Sequence, residues 1–336
     1  MCPIAASAGE SVAAAGAEAS AIATADPKDE DPVSRVRIIV PVLNGGLRWR
    51  ESARAIRAAL SDPASVVVVD SGSTDGSDRV AFESGFELKR IDPRTFNHGK
   101  TRQWAAEQFC AGMEFAVFLT QDAVLEGPES IVALLGAFSD PTVGAVYGRQ
   151  LPHDGAGPFE AHVILFNYGA RSETRSFADA PRLGIKTAYL SNSFAAYRSS
   201  AFQACGGFPN DLILGEDTCI AVKMLLARWA IRYCANARVR HSHAYTVMQD
   251  ARRYFDFGVL HTQLPDLMRN FGAAEGEGLR FVTSELRYVA RHAPLQLPLV
   301  PVRNAAKYAG YRLGRMFEYL PHRLCRRLSM TQGYWR

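Results

Sequence analysis

The first third of the chain places its hydrophobic residues in short runs without polar alternation, and amphipathic stretches separate these runs. A short, uninterrupted apolar run is typical of a strand that is covered on both faces. Strands that alternate with helices predict right-handed βαβ units and a parallel sheet. The predicted strands lie at 36–44, 66–69, 86–91 and 115–120, and the predicted helices at 51–60, 75–84 and 103–111, with Thr74 or Asp75 as the cap of the second helix.

The later part of the chain continues with mixed elements and then becomes mostly helical. Further strands are predicted at 143–150, 187–198 and 237–246, and an amphipathic helix should start at Glu216. The pattern beyond Asp250 is helical with Pro, Gly and Arg interruptions. Three regions are therefore expected: a disordered leader at 1–34, an α/β domain at 35–260 and a basic, mainly helical extension at 261–336.

Composition supports the boundaries of these regions. The leader is rich in Ala, Ser and Gly and ends in the acidic run DPKDEDP, which cannot build a core. The 336 residues are 48% hydrophobic and 21% charged, as in ordinary globular proteins. The net charge of +4 is too small to indicate a nucleic-acid partner, and no nucleic-acid recognition motif is present.

Positive charge is concentrated at the C-terminal end of the chain. Nine bases between Arg291 and Arg336 accompany a single acid, Glu318. The segment 312–328 alternates apolar and basic residues at near-helical spacing, which suits a helix lying on an anionic bilayer. A solvated helix packed on the domain fits the pattern equally, because Pro321 interrupts any long helix.

Cysteine usage and hydropathy indicate a cytoplasmic protein. The six cysteines show no CxxC pair, which argues against a zinc module or a disulfide framework and favours a reducing compartment. No run reaches the roughly 18 to 20 apolar residues of a membrane-spanning helix. The N-terminal alanines are not preceded by the basic region of a secretory signal.

Two predicted strands end in an acid, and both ends fall on one edge of the sheet. Asp70 follows VVVV and Asp122 follows FAVFLTQ. Ligands of open α/β sheets bind at this edge. An acid here can accept hydrogen bonds from a pyrimidine or a ribose, or it can bind a divalent cation. The glycine fingerprint of NAD-dependent oxidoreductases is missing after the first strand, where VPVLNGG stands, and no P-loop is present.

Several motifs together resemble a known family. The sequence contains PVLNGG, VVDSGSTDGS, TQDA, GGFPNDLILGEDT and VRHSHAYT, and these resemble family 2 glycosyltransferases of the GT-A fold. The stretches FNHGKTR, YGRQLP, LSNSFAAYR and HSHAYTVMQDARRYFDFG further resemble bacterial rhamnosyltransferases that build O-antigen and related polysaccharides. The resemblance covers about 36–258. It implies an α/β fold with a Rossmann-like, mostly parallel sheet between helices, followed by a C-terminal helical extension.

The resemblance also implies a donor site, with Asp75 near it. His98, Gly99 and Arg102 would lie beside the diphosphate, since glycine permits close approach and arginine offers a fork of donors to phosphate. The residues implied as donor-binding are Pro41, Asn44, Asp70, Ser71, His98, Gly99, Arg102, Gln121 and Asp122.

The metal motif departs from the family pattern. The family's Asp-x-Asp is Thr120-Gln121-Asp122 here, so one carboxylate remains. Asp122 can still hold Mg²⁺ or Mn²⁺, because such ions take further oxygens from water and from a diphosphate. His241 is the candidate for an additional ligand and His243 is the second choice, and histidine favours Mn²⁺ over Mg²⁺.

Asp217 is the implied catalytic base. It would take the proton of an acceptor hydroxyl during an in-line, inverting displacement, although acids in a first helical turn are also favoured by the helix dipole. Ser191, Asn192, Phe194 and Tyr197 fall where the family contacts sugars.

The implied activity is inverting transfer of L-rhamnose from dTDP-L-rhamnose to a lipid-linked or polysaccharide acceptor in surface glycan synthesis. Such an enzyme would work in the cytoplasm, with peripheral contact to the anionic inner face of the cell membrane. Alternatives are another donor, UDP-glucose or UDP-N-acetylglucosamine, and an NAD-dependent oxidoreductase.

Overall fold

The computed structural model describes residues 35–272 and 277–335, which belong to one compact unit. The leader predicted at 1–34 lies outside the described residues. Nine strands form one sheet: β1 Val36–Val42, β2 Val66–Asp70, β3 Glu87–Arg90, β4 Phe115–Leu119, β5 Val124–Leu125, β6 Val143–Leu151, β7 Glu173–Arg175, β8 Phe194–Arg198 and β9 Ala230–Arg240.

The α-helices of the described residues flank the sheet or form the C-terminal region. They are α1 Gly46–Ala59, α2 Ser77–Glu83, α3 His98–Phe109, α4 Glu129–Gly136, α5 Pro158–Asn167, α6 Ala180–Leu183, α7 Ser199–Ala204, α8 Glu216–Leu226, α9 Val247–Gln263, α10 Pro265–Phe271, α11 Glu277–His292, α12 Leu299–Gly314 and α13 His322–Leu328.

The sheet is parallel over its first half and mixed over its second. Its order is β3-β2-β1-β4-β8-β6-β9-β5, and β7 pairs with β9. The first four strands in this order are parallel, whereas β8 runs antiparallel to both β4 and β6. The alternation of strand and helix that predicts parallel pairing ends after β4. The mixed half therefore follows the loss of that pattern.

The strand β2 shows why its sequence lacks alternation. All five of its residues are buried. Val66 packs in the apolar cluster that contains Trp49 of α1, whereas Val67 packs in the opposite cluster with Ala105 of α3. Both faces of the strand thus meet helices, and the strand ends where the chain emerges at the edge of the sheet.

Three helix starts differ from the sequence predictions, and the first is α1, which begins at Gly46 and not at the predicted Glu51. The helix α3 begins at His98, inside the predicted polar loop, because the Asn97 side chain caps it by accepting a hydrogen bond from Lys100 N at 3.0 Å. The helix α2 begins after Gly76, not at the predicted cap Asp75. Asp75 instead serves the turn before the helix.

The C-terminal helices pack closely on one another. The predicted boundary between 260 and 261 falls inside α9, and α12 packs along that helix. A Cβ atom added to Gly310 would lie 2.1 Å from the carbonyl oxygen of Ala251, and one added to Gly314 would lie 2.0 Å from that of Phe255. Only glycine allows this approach. Within 35–272 and 277–335, no helix combines the length and the apolar character that crossing a membrane requires.

Candidate active site

A cleft of about 540 Å³ opens where β1, β2 and β4 end. Six of the nine predicted donor residues line it, whereas Asn44, Asp70 and Gly99 are not among its lining residues. The lining therefore includes Pro41, Ser71, His98, Arg102, Gln121 and Asp122.

Asp70 and Asn44 shape the loops beside the cleft. Buried Asp70 accepts hydrogen bonds from the backbone N–H and the hydroxyl of Ser73. Asn44 has a left-handed backbone with φ of 47°, and its Oδ1 accepts from Thr74 N at 2.8 Å. The two loops that follow β1 and β2 are thereby joined. A direct contact of either residue with a nucleotide stays a prediction.

Asp75 adds a second connection between these loops. Its Oδ2 accepts a hydrogen bond from Gly46 N at 2.9 Å, and its Oδ1 accepts from Ser77 N at 3.0 Å. Hydrogen bonds from Ser77 and from Gly46 lower the pKa of Asp75. The carboxylate therefore holds the first turns of α1 and α2 together.

Gly99 is required by packing at its position. A Cβ atom there would lie 2.0 Å from the carbonyl oxygen of Pro209 and 3.3 Å from Glu216 Cβ. The absent side chain lets α3 approach the loop that precedes α8.

Ser71 presents a hydroxyl without a partner to the cleft. Its Oγ is buried and makes no hydrogen bond within the described part of the chain. A buried polar atom without a partner is unfavourable unless a ligand or water completes it. The hydroxyl therefore fits a polar ligand in the cleft.

The side-chain amide of Gln121 acts as a hydrogen-bonding partner for the backbone just after β1, beyond the last residue of β4 that pairs with β1. Its Oε1 accepts from Leu43 N at 2.8 Å, and its Nε2 donates to Leu43 O at 3.2 Å. The pairing of β1 with β4 stops at Ile39, so the side-chain amide continues the ladder beyond it. A carboxylate could not do so, because it cannot donate a hydrogen bond. This is a physical reason for glutamine at the middle position of the motif, between Thr120 and Asp122.

Asp122, His241 and His243 form a group that can hold a metal ion. One ligand atom from each lies within 4.8 Å of the others. His241 Nε2 is 3.4 Å from Asp122 Oδ1, and His243 Nε2 is 3.7 Å from Asp122 Oδ2. Burial raises the pKa of Asp122, but the hydrogen bond and charge of His241 outweigh it and hold that pKa well below its usual range. One oxygen donor and two nitrogen donors fit Mn²⁺ or a similar divalent cation.

Gln150 orients this group and was not anticipated from the sequence. Its Oε1 lies 2.9 Å from His241 Nδ1, so that nitrogen donates, and Nε2 is the ring nitrogen that faces Asp122. Such partners fix the tautomer of a metal-binding histidine. The available sequence signal was the polar pair Arg149-Gln150 after the run VGAVYG of β6, and the structure buries Gln150 to 4% exposure.

Asp217 lies in the first turn of α8, facing the same cleft. Gly215, with φ of 78°, turns the chain into this helix. The carboxylate accepts hydrogen bonds from Asn192 N at 3.1 Å and Thr218 N at 2.7 Å. Burial and the neighbouring Glu216 raise the pKa of Asp217 to about 6. A carboxyl group with this pKa suits proton transfer near neutral pH.

Glu216 has a different environment from its neighbour. It forms a buried ion pair with Arg102 at 2.9 Å. Burial raises the pKa of Glu216, but the charge of Arg102 outweighs this and lowers it. Burial and the Arg102 charge also lower the pKa of His98 to about 4. The predicted contact of Arg102 with diphosphate stays a prediction, since one guanidinium nitrogen already serves Glu216.

Two residues predicted to contact sugars are instead part of the core. Phe194 is 1% exposed and Tyr197 is fully buried, so neither can form a sugar platform. Tyr197 has a positioning role: its hydroxyl donates to Asn192 Oδ1 at 2.6 Å, and Asn192 Nδ2 donates to Glu216 at 3.0 Å. This chain of hydrogen bonds holds the start of α8.

The sequence matches the family model for glycosyl transferase family 2 over residues 37–206. The chain belongs to this family. Two relatives extend the likeness over nearly their whole length. The O-antigen chain rhamnosyltransferase WbaN of Salmonella anatum is 44% identical over 89% of this chain and 95% of its own. The O-antigen chain rhamnosyltransferase RfbN of Salmonella typhimurium is 43% identical over 90% of this chain and 96% of its own.

Solved structures of low sequence identity share the GT-A fold of this family 2 enzyme. A mannosyltransferase of Pyrobaculum calidifontis, in complex with GDP-Man and Mn²⁺, has a TM-score of 0.50 and 20% identity over 90% of this chain and 84% of its own. The structure of residues 1–349 of Staphylococcus aureus TarS has a TM-score of 0.50 and 16% identity, and the match covers 84% of this chain and 91% of its own. The chain is thus a glycosyltransferase that takes a nucleotide-sugar donor and a glycan acceptor, and its site fits a divalent cation.

Proposed function

We propose that this family 2 glycosyltransferase moves L-rhamnose from dTDP-L-rhamnose to a lipid-linked or polysaccharide acceptor in bacterial surface glycan synthesis. The supporting observation is that one cleft contains both the Asp122–His241–His243 group and Asp217. The sugar is taken from the two Salmonella relatives, which are named as rhamnosyltransferases and align over almost their entire length.

The proposed reaction is a single displacement with inversion. Ionised Asp217 accepts the proton of an acceptor hydroxyl while that oxygen forms a bond to the anomeric carbon of the sugar. The bond from the anomeric carbon to the diphosphate breaks, and dTDP leaves with its electron pair. A β-L-rhamnosyl donor would therefore give an α-L-rhamnoside.

The Asp122–His241–His243 group would hold Mn²⁺, or alternatively Mg²⁺. A bound divalent cation supplies positive charge for the leaving diphosphate. Ser71, with its unpartnered hydroxyl, would contact the nucleotide from the opposite side of the cleft, together with Pro41. Arg102, which lines the cleft and pairs with Glu216, would also face the leaving diphosphate.

The proposed location is the cytoplasm, at the inner face of the cell membrane. An acceptor that is linked to a lipid stays at a membrane, so the enzyme would have to reach it as a peripheral protein. The basic C-terminal region supports this location, because the inner leaflet is anionic.

A donor screen tests the function. The enzyme is incubated with dTDP-L-rhamnose, UDP-glucose or UDP-N-acetylglucosamine, each with and without Mn²⁺, and nucleotide release is measured. We expect release from dTDP-L-rhamnose only, and only with the cation. Nucleotide release from a UDP-sugar alone would reject dTDP-L-rhamnose as the donor. Nucleotide release that persists with a chelator would reject the proposed requirement for a metal ion.

A further inference from the structure

Exposed apolar side chains are concentrated in the C-terminal helices. Among the described residues, ten of the seventeen exposed large hydrophobic side chains lie at 277–335. Leu295, in the connection between α11 and α12, is 96% exposed. Further examples on the two helices are Leu279, Leu286, Leu299, Val302 and Leu313, and Met316 follows just after α12. We refer to α11, the connection at 293–298 and α12 together as the hairpin.

The outer face of α12 is apolar, which is unusual for a helix at a protein surface. Lys307, Gly310 and Gly314 are buried on its inner side. The opposite side carries Val302, which is 51% exposed, and two exposed alanines, and Met316, two residues beyond the end of the helix, is 48% exposed. Surface helices normally turn polar residues outward. An exposed apolar face suits contact with a second apolar medium.

Apart from Glu277, which pairs with Arg280, the exposed charges around this apolar face have one sign. Arg280, Arg287 and Arg291 are exposed on α11, and Arg312 is exposed on α12. The only acid of the hairpin beyond its first residue is Glu285, which is buried and engaged by hairpin residues, with Asn304 Nδ2 at 2.6 Å and Lys307 Nζ at 3.5 Å. The exposed face is therefore apolar and cationic.

We propose that the hairpin is the surface by which the protein binds an anionic lipid bilayer. Apolar side chains would enter the region between headgroups and acyl chains, while the arginines contact lipid phosphates. This surface differs from the segment at 312–328 that the sequence pattern favours. The inference deepens the proposed function, since it assigns the membrane contact to particular residues.

A second chamber lies between α12 and the catalytic cleft. It has a volume of about 290 Å³, and Tyr245 and His243 line both the chamber and the cleft. Arg303 and Lys307, from the inner side of α12, line the chamber as well. A bilayer on the outer side of α12 would thus be one helix away from the chamber. This arrangement suits an acceptor glycan whose lipid stays in the membrane.

Vesicle sedimentation with the full chain tests the inference. Vesicles of phosphatidylcholine with phosphatidylglycerol should bind the protein, and vesicles of phosphatidylcholine alone should bind it weakly. The double variant Leu295→Asp/Val302→Asp should weaken binding by at least about tenfold, because charged groups are costly in the interface. The control is Phe82→Asp on α2, where an apolar residue that is 77% exposed lies outside the hairpin.

A charge-reversal variant gives a second, independent measurement. Arg287→Glu/Arg291→Glu changes exposed residues only, so it should keep the melting temperature and lose binding to the anionic vesicles. Unchanged binding of both double variants would overturn the inference. So would light scattering that shows a wild-type dimer and a monomeric Leu295→Asp/Val302→Asp, since the face would then bind a second copy. The vesicles contain neither donor nor acceptor, so this result and the donor screen can fail separately.

Discussion

The two walls of the cleft are held together by different kinds of contact. On the donor side, side chains bind the backbone of neighbouring loops: Ser77 Oγ accepts from Gly45 N at 3.0 Å, and Asp75 accepts from Gly46 N. On the C-terminal side, α9 and α12 are joined by close glycine contacts and by the buried ion pair of Arg303 with Asp250 at 2.5 Å.

Because the contacts differ, substitutions in the two walls should affect different properties, donor binding in one and folding in the other. The donor-side contacts are single hydrogen bonds at the protein surface, each contributing about 0.5–1.5 kcal/mol. Their loss should alter donor binding more than folding. The C-terminal contacts are closely packed or buried, so their loss should alter folding first. Asp217 lies between the walls and should affect chemistry alone.

The largest effect is expected at Asp217. The variant Asp217→Asn removes the proton acceptor but keeps the shape, so kcat should fall by about 10²–10⁴-fold. Donor affinity, measured by calorimetry, should stay within about twofold, because the donor site proposed here does not use this carboxylate. Asp211→Asn, an exposed acid in the loop before α8, is the matched control and should keep full activity. Turnover of Asp217→Asn near the wild-type rate would reject the assignment of Asp217 as the catalytic base.

The sequence was most informative on the donor side for a physical reason. Strand-end positions such as Asp70 and Asp122 follow from periodicity, because buried strands need unbroken apolar runs. The resemblance then adds His241 and Asp217 to the same edge, and the structure brings Asp122, His241 and Asp217 to one cleft.

What the sequence could not give was contact between distant elements. The pairing of Gln121 with Leu43 spans 78 residues, and that of Gln150 with His241 spans 91. The burial of Tyr197 likewise depends on its neighbours in the assembled core, where Phe118 and Phe208 contact its ring. Local patterns contain no information on such partners.

The next largest effect tests the C-terminal wall. Gly310→Ala places a Cβ atom 2.1 Å from a backbone oxygen of Ala251, so α12 must move away from α9. We expect a loss of about 1–3 kcal/mol in the free energy of unfolding, measured with urea. Gly278→Ala in α11, where a Cβ atom meets nothing within 4 Å, is the control. It should instead raise stability by up to about 1 kcal/mol. Equal effects of the two substitutions would contradict the packing explanation.

Metal binding by the Asp122–His241–His243 group should depend on Gln150, whose side chain orients His241. Gln150→Leu removes the acceptor for His241 Nδ1–H, so Mn²⁺ affinity should fall by about 10–100-fold in a calorimetric titration. Gln150→Glu keeps an acceptor at this position and should keep the affinity. A Leu variant that binds Mn²⁺ as wild type does would show that His241 is not a ligand.

Activity should also depend on pH through Asp217. Its pKa of about 6 means that the base is ionised at neutral pH and becomes protonated as the pH falls. Below about pH 6, kcat should decrease by about tenfold for each pH unit. The profile is measured at saturating Mn²⁺ and donor. A flat profile between about pH 5 and pH 8 would contradict the shifted pKa.

The smallest effect is expected from Gln121→Glu on the donor side. The new carboxylate can still accept from Leu43 N, but it cannot donate to Leu43 O and places two oxygens in contact. Loss of one hydrogen bond of about 0.5–1.5 kcal/mol should raise the donor KM by about two- to twelvefold, with the melting temperature nearly unchanged. Gln108→Glu, which adds the same charge at an exposed position of α3, is the control. A fall in melting temperature as large as that of Gly310→Ala would show that the two walls do not differ.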